Sequence, residues 1–240
     1  MIPIQDQNPT SIRPYVNWAL IAANVVIFIY TFTLFNPENF ICEYGLKPAE
    51  VTGLSPAFQG PCEQFEAFRN AGLLTFLTSM FLHGGLAHIG GNMLYLWIFG
   101  DNIEDLAGHI PYLAFYLTTG VVGSLAHIFS DPSSPIPAVG ASGAISGVLG
   151  AYILRFPHAK VRTAIFLRFW IQFVRVPAWI MIGFWFLLQL VESFVVTVTG
   201  AVGGVAYFAH IGGFIAGFLF AFLLPKQKPR ERWPGQTPYS

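Results

Sequence analysis

A chain of 240 residues that is 54% hydrophobic, only 10% charged and formally neutral is not an ordinary soluble domain, where roughly a quarter of residues carry charge. Its mean hydropathy of +0.58 indicates a polytopic membrane protein instead. Nothing in that balance points to nucleic acid, because the 12 Lys and Arg form small patches and no basic stripe.

Residues 1–14 read as a short tail, and six apolar runs follow that are long enough, or nearly so, to cross about 30 Å of hydrocarbon at about 1.5 Å per residue. They are 16–35, 86–99, 109–129, 142–156, 176–198 and 204–224. The first is too long for a cleavable signal peptide and lacks a small-residue cleavage pattern after it. Between the first two runs lies the longest extramembrane segment, 36–70, carrying Phe40, Tyr44, Phe58, Phe65 and Phe68 among charges and prolines. Such a mix suits a structured loop lying in the membrane interface. The same segment holds both cysteines, Cys42 and Cys62. They are either a disulfide closing a loop of about 20 residues, worth roughly 3 kcal/mol, or two unpaired thiols.

The second and fourth runs are short and flanked by glycine, the pattern of helices that start below the membrane surface where water reaches down to them. Five basic residues, Arg155, Lys160, Arg162, Arg168 and Arg175, separate the fourth run from the fifth. Four more, Lys226, Lys228, Arg230 and Arg232, lie in the proline-rich end 225–240, which is expected to be flexible and to touch anionic lipid. Together with Arg13 they mark the cytoplasmic side, and an even number of spans puts both termini there. Only Lys47 and Arg69 fall outside. The short length and small tails lead us to expect a bacterial plasma membrane.

In this orientation the second, fourth and sixth runs pass from outside to inside, so their early residues share the outer half of the membrane. His88 and Asn92 are four apart and occupy one helix face. Ser142 opens the fourth run, and His210 lies about two turns into the sixth. Four polar groups at one depth imply a single outward-opening site, since intramembrane polar groups are costly and by default functional. A serine hydroxyl attacks a carbonyl only when a base takes its proton, and histidine does this near neutral pH. We therefore expect Ser142 as nucleophile and His210 as base. The helix N-terminus at Ser142, with His88 and Asn92, would supply oxyanion donors. Gly140 and Gly143 would let the backbone approach closely. No carboxylate lies near His210 on the sixth run, so a dyad is expected and not a triad.

Simpler readings exist for the same residues. Ser142 and Ser146 could be small residues at a helix crossing, and His88 with Asn92 a packing pair bonded to a carbonyl. His83 and His88, five apart with no third ligand, do not make a metal site. His83 is expected to brace the outer loop, while His109, His127 and His158 read as interfacial. Glu192, in the outer half of the fifth run, is expected to face a wet cavity and to border the gap by which substrate enters. Asn24 in the first run reads as an interhelical hydrogen bond.

The strings His83-Gly-Gly-Leu-Ala-His88-Ile-Gly-Gly-Asn92, Gly140-Ala-Ser142-Gly143 and Ala209-His210-Ile-Gly-Gly213-Phe-Ile-Ala-Gly217, in this order and on the second, fourth and sixth runs, resemble the rhomboid intramembrane serine protease family. The resemblance covers 16–224 and implies an all-α, six-helix membrane domain over 15–224, with a large outer loop between its first two helices. It implies cleavage of single transmembrane helices of other proteins by a Ser142–His210 dyad, with His88 and Asn92 as oxyanion donors and no cofactor or metal. The expected partners are single-span membrane proteins and lipid. Gly213 and Gly217 resemble the small-residue pair that packs the family's sixth helix on its fourth. Two positions depart from the pattern. Ser146 stands where several members carry an aromatic ring against the catalytic histidine, and 36–70 lacks the adjacent Trp-Arg pair of many outer loops. Two other classes compete. A silent relative that binds transmembrane helices and controls their fate normally lacks the Ser or the His, and a transporter shows repeated halves and several buried charges. Neither pattern is present.

Overall fold

The computed structural model of the protein describes residues 2–54, 62, 72–167, 170–199 and 205–225. Phe58, Phe65, Phe68 and Arg69 of the outer loop, Arg168, Gly204 and the basic end 226–240 lie outside the described residues. The elements in chain order are β1 (Ile2–Asp6), α1 (Tyr15–Leu34), α2 (Pro37–Tyr44), α3 (Pro48–Thr52), α4 (Thr75–Thr78), α5 (Leu86–Ala107), α6 (His109–Ser130), α7 (Ser142–Arg155), β2 (Lys160–Leu167), β3 (Trp170–Pro177), α8 (Ala178–Thr199) and α9 (Tyr207–Phe220). Short 3-10 turns flank α4, and another extends α9 to Leu223.

Among the described residues, α1, α6 and α8 are each long and apolar enough to cross a membrane. The segment Gly72–Phe81 and α5 pass that test together but meet at a bend of 82°. Helix α7 has 14 residues, about 21 Å of rise, which is less than the hydrocarbon thickness. It is also the most enclosed helix, with every residue from Gly143 to Tyr152 buried. That enclosure comes from close helix crossings. A Cβ at Gly213 or Gly217 of α9 would run into the carbonyls of Gly143 and Gly147 of α7. In lipid there is no hydrophobic gain from bringing two helices together, so the bare backbones of small residues, which allow many van der Waals contacts, provide the attraction. The Gly213/Gly217 pair thus forms the α9 side of this crossing.

An all-α bundle does not describe the chain completely. Residues 1–14, read as a tail, contain β1, and the basic segment read as a loop folds into the hairpin β2–β3. The three strands form one antiparallel sheet in the order β1-β2-β3. The alternation in β2, with Val161 and Thr163 buried and Arg162 exposed, is a strand period of two. The positive charges dominate the sequence signal and mask it. Pro177 closes β3, so α8 begins at Ala178, two residues later than the apolar run suggests.

The sheet is fastened to the bundle by buried polar groups. Asp6, at the end of β1, accepts hydrogen bonds from Tyr152 Oη of α7 (2.6 Å) and Asn102 Nδ2 of α5 (2.9 Å). Glu104 is fully buried and accepts the backbone N–H groups of Val16 (2.9 Å) and Asn17 (2.7 Å). Those are orphan donors of the first turn of α1, whose N-cap residue, Pro14, has no side-chain cap. His109 Nδ1 lies 2.5 Å from the same carboxylate, so His109 is tied to Glu104 by a hydrogen bond. Among the described residues the buried acids are therefore Asp6 and Glu104, while Glu192 is exposed. Asn24 donates to the Leu20 carbonyl of its own helix (2.8 Å) and faces the Tyr116 hydroxyl of α6.

In the segment that follows α1, residues 36–54 are largely helical. Cys42 and Cys62 form a disulfide with a Cα separation of 5.4 Å. Lys47 is buried, ion-paired to Glu50 (2.6 Å) and donating to the Cys42 carbonyl (2.6 Å). Leu46 bridges to Ala138 just before α7, which ties this segment to the start of the helix that carries Ser142.

Candidate functional site

Ser142 is the first residue of α7, so its backbone N–H is one of the helix's orphan donors. The turn before it needs Gly140, whose φ of +127° lies in a region L side chains rarely adopt. The Gly140 N–H donates to the Ser79 carbonyl at 2.8 Å, which fixes the turn against the segment preceding α5. A Cβ on Gly140 would stand 2.7 Å from His88 Nε2 and 3.5 Å from Ser142 Oγ. The small residue therefore keeps open the space between His88 and Ser142.

His210 is in the first turn of α9 because that helix starts at Tyr207, one turn later than the apolar run. Its Nε2 lies 2.7 Å from Ser142 Oγ. The Gly143–Gly213 contact sets this spacing, since a bulkier residue at either position would push the two helices, and with them the two side chains, apart. Ser146 does not reach the imidazole. It is fully buried, and its hydroxyl donates back to the Ser142 carbonyl at 2.6 Å.

On α5, the Gly84 N–H points at His88 Nδ1 over a long 3.4 Å, leaving Nε2 as the donor nitrogen toward Gly140. Asn92, one turn on, is buried, and its Nδ2 has no hydrogen-bond partner among the described residues. A buried donor without a partner is costly in a resting protein and suits a ligand oxygen. His83 is buried edge-on against His88, ring centroids 5.0 Å apart, a supporting position. Among the described residues no group of three or more His, Cys, Asp or Glu could hold a metal ion.

Two residues enter the site that the sequence reading did not place there. His127, read as interfacial, lines a cavity at Ser142 together with Ser124, Val139, Ala206 and Ala209. It sits in the last turn of α6, which the packing against α9 turns inward. Gln189 of α8 was not singled out at all. Its Oε1 is 2.7 Å from His210 Nδ1, and Trp185, one turn earlier, has its ring centroid 6.0 Å from that of His210. An uncharged amide in an apolar run draws little notice beside Glu192. The available signal was the four-residue spacing of Trp185 and Gln189, which puts them on one helix face. Glu192 makes no hydrogen bond to Ser142 or His210 and instead faces the Tyr207 hydroxyl.

The chain is similar to proteins of a known family. The family described as Rhomboid domain matches residues 70–227. The chain is 29% identical over 169 residues to Rhomboid protein 1, mitochondrial, of Saccharomyces cerevisiae, covering 66% of this chain and 44% of that protein. It is 37% identical over 148 residues to Rhomboid protease GluP of Bacillus subtilis, covering 62% and 25%. A longer match, 25% identical over 234 residues, is to RHOMBOID-like protein 1 of Arabidopsis thaliana, covering 88% and 55%. The matches thus span between a quarter and little more than half of these relatives' own lengths.

Proposed function

The chain belongs to the rhomboid family, and from that premise we propose that it is an intramembrane serine endopeptidase that cuts peptide bonds in or near transmembrane helices. The observation that carries this reading is the 2.7 Å contact between Ser142 Oγ and His210 Nε2, a nucleophile–base distance at the start of an enclosed helix. Ser142 Oγ attacks the scissile carbonyl while His210 Nε2 takes its proton. The carbonyl oxygen becomes an oxyanion and is met by the Ser142 N–H, His88 Nε2–H and the Asn92 amide. When the tetrahedral intermediate collapses, the C–N bond breaks and His210 returns the proton to the leaving nitrogen, leaving an acyl-Ser142. Water then attacks this ester with His210 again as base, releasing the second product and restoring the hydroxyl. The reaction needs no metal or cofactor.

The cavity beside Ser142 has Gly120, Gly143, Ala144, Ala206 and Ala209 in its walls, which supports a small side chain next to the scissile bond. A stable helix hides its carbonyls, so substrates with Gly or Pro near the cut should be preferred. We place six crossings at α1, α5, α6, α7, α8 and α9. The basic hairpin, at the opposite end of α7 from Ser142, supports an orientation with both termini in the cytoplasm and the site on the outer side of a plasma membrane. The substrates are single-span proteins.

The test is cleavage of a model single-span substrate by the protein in liposomes, comparing wild type with Ser142→Ala and His210→Ala. Cleavage by wild type that is lost in both variants is expected, as is fluorophosphonate labelling of wild type but not of Ser142→Ala. A folded wild type that neither cuts a varied substrate panel nor takes the label would replace this reading with a helix-binding one.

A further inference from the structure

A serine–imidazole pair works in only one tautomer: Nε2 must hold the lone pair that accepts the serine proton, so Nδ1 must carry the hydrogen. Which nitrogen is protonated is decided by what faces Nδ1. On α7 the side chain four residues past Ser142 is the serine that bonds its own helix, so α7 offers the ring no orienting side chain. The titratable groups facing His210 from α5 and α6 are His88 and His127, and neither is hydrogen-bonded to Nδ1 among the described residues. On α8, Glu192 is turned to Tyr207. What does face Nδ1 is Gln189, whose Oε1 stands 2.7 Å away and whose side chain is only 8% exposed. Trp185 lies beside the imidazole with the ring planes at 34°.

We propose that Gln189 is the positioning residue of the base, its amide oxygen accepting the Nδ1 hydrogen and thereby holding His210 in the tautomer whose Nε2 receives the Ser142 proton, with Trp185 as the wall that fixes the ring plane. This rests on the serine-protease reading. It makes the site a Ser–His dyad on α7 and α9 whose base is positioned from α8. A neutral amide fits this depth. A carboxylate facing Nδ1 would be a desolvated charge whenever the imidazole is neutral, whereas the amide fixes the tautomer without that cost. The amide contributes orientation and adds no counter-charge to the imidazolium formed on attack.

The experiment compares wild type, Q189E, Q189L and Q189N in liposomes, measuring kcat and KM against pH, with ¹⁵N NMR of labelled histidine as a readout independent of turnover. Q189E keeps the acceptor, so it should retain activity. Its acid limb should move to higher pH, because a carboxylate favours the imidazolium. Q189L removes the acceptor and Q189N withdraws it by about one carbon–carbon bond. Each should lower kcat by about 10²-fold, the low end of what a general base contributes, with KM nearly unchanged. The NMR signals should report a hydrogen on Nδ1 in wild type and a tautomer mixture in Q189L. Should Q189L not fold, Q189N carries the comparison. Wild-type kcat in Q189L or Q189N, or Q189E as inactive as Q189L in folded protein, overturns the proposal. An inactive wild type that still shows Nδ1–H, lost in Q189L, overturns the protease reading and leaves Gln189 as the group that sets the tautomer.

Discussion

An oxyanion site built from side chains on a helix face is judged by what those side chains do when no substrate is bound. Asn92 Nδ2 is buried and without a partner among the described residues, and His88 directs Nε2 at the space beside Gly140. Donors held ready at the resting stage need no reorganisation when charge develops. Asn92→Ala and His88→Ala are therefore expected to lower kcat by about 10²-fold or more each while KM changes little. Steady-state cleavage in liposomes checks this, and a loss confined to KM would mean that these groups hold the ground state only. Ser142, His210, His88 and Asn92 are legible in the sequence because each sits in a short motif of its own. Gln189 and His127 are not, since what they touch depends on how α8 and α6 rotate against α9.

At the scale of elements, the short helix α7 is gripped by neighbours through bare backbone. The sharpest case is Gly217, where an added Cβ would strike the Gly147 carbonyl. Gly217→Ala should lower stability by about 1–3 kcal/mol, the usual cost of overpacking. It should also slow cleavage, because α9 carries His210. Gly183 of α8 has nothing within 4 Å of a built Cβ. Gly183→Ala should be neutral or stabilising by about 0.5–1 kcal/mol, as alanine is in a helix interior. Thermal unfolding in one detergent compares the two, and equal destabilisation would refute the close-crossing account. Both glycines lie in apolar runs, and in sequence only the four-residue spacing from Gly213 sets Gly217 apart. The helices themselves were readable from their apolar length, but the β2–β3 hairpin was not, because its positive charges outweigh an alternation carried by so few residues.

For the whole molecule, the segment after α1 and the N-terminal strand act as fasteners at opposite ends of the bundle. The Cys42–Cys62 bridge closes a loop of 20 residues in sequence separation, which in the loop-entropy account is worth about 3 kcal/mol. Reductant should lower stability by that amount and so shift thermal unfolding to lower temperature. A Cys42→Ser, Cys62→Ser double variant should show the same loss and no further response to reductant. Unchanged unfolding in both would mean the loop is held by Lys47, Glu50 and the Leu46–Ala138 bridge alone. At the other end, Asp6 joins β1 to α5 and α7, a connection across nearly 150 residues that no local pattern announces. By itself the sequence determined the membrane class, the approximate helix positions and the short motifs, because hydropathy, charge bias and residue spacing are local properties of the chain. Only the tertiary structure decided the sheet, the burial of Asp6 and Glu104, the disulfide, and the contact of Gln189 with His210. Each of these depends on two distant segments arriving at hydrogen-bonding or covalent distance, and distance between segments is set by packing.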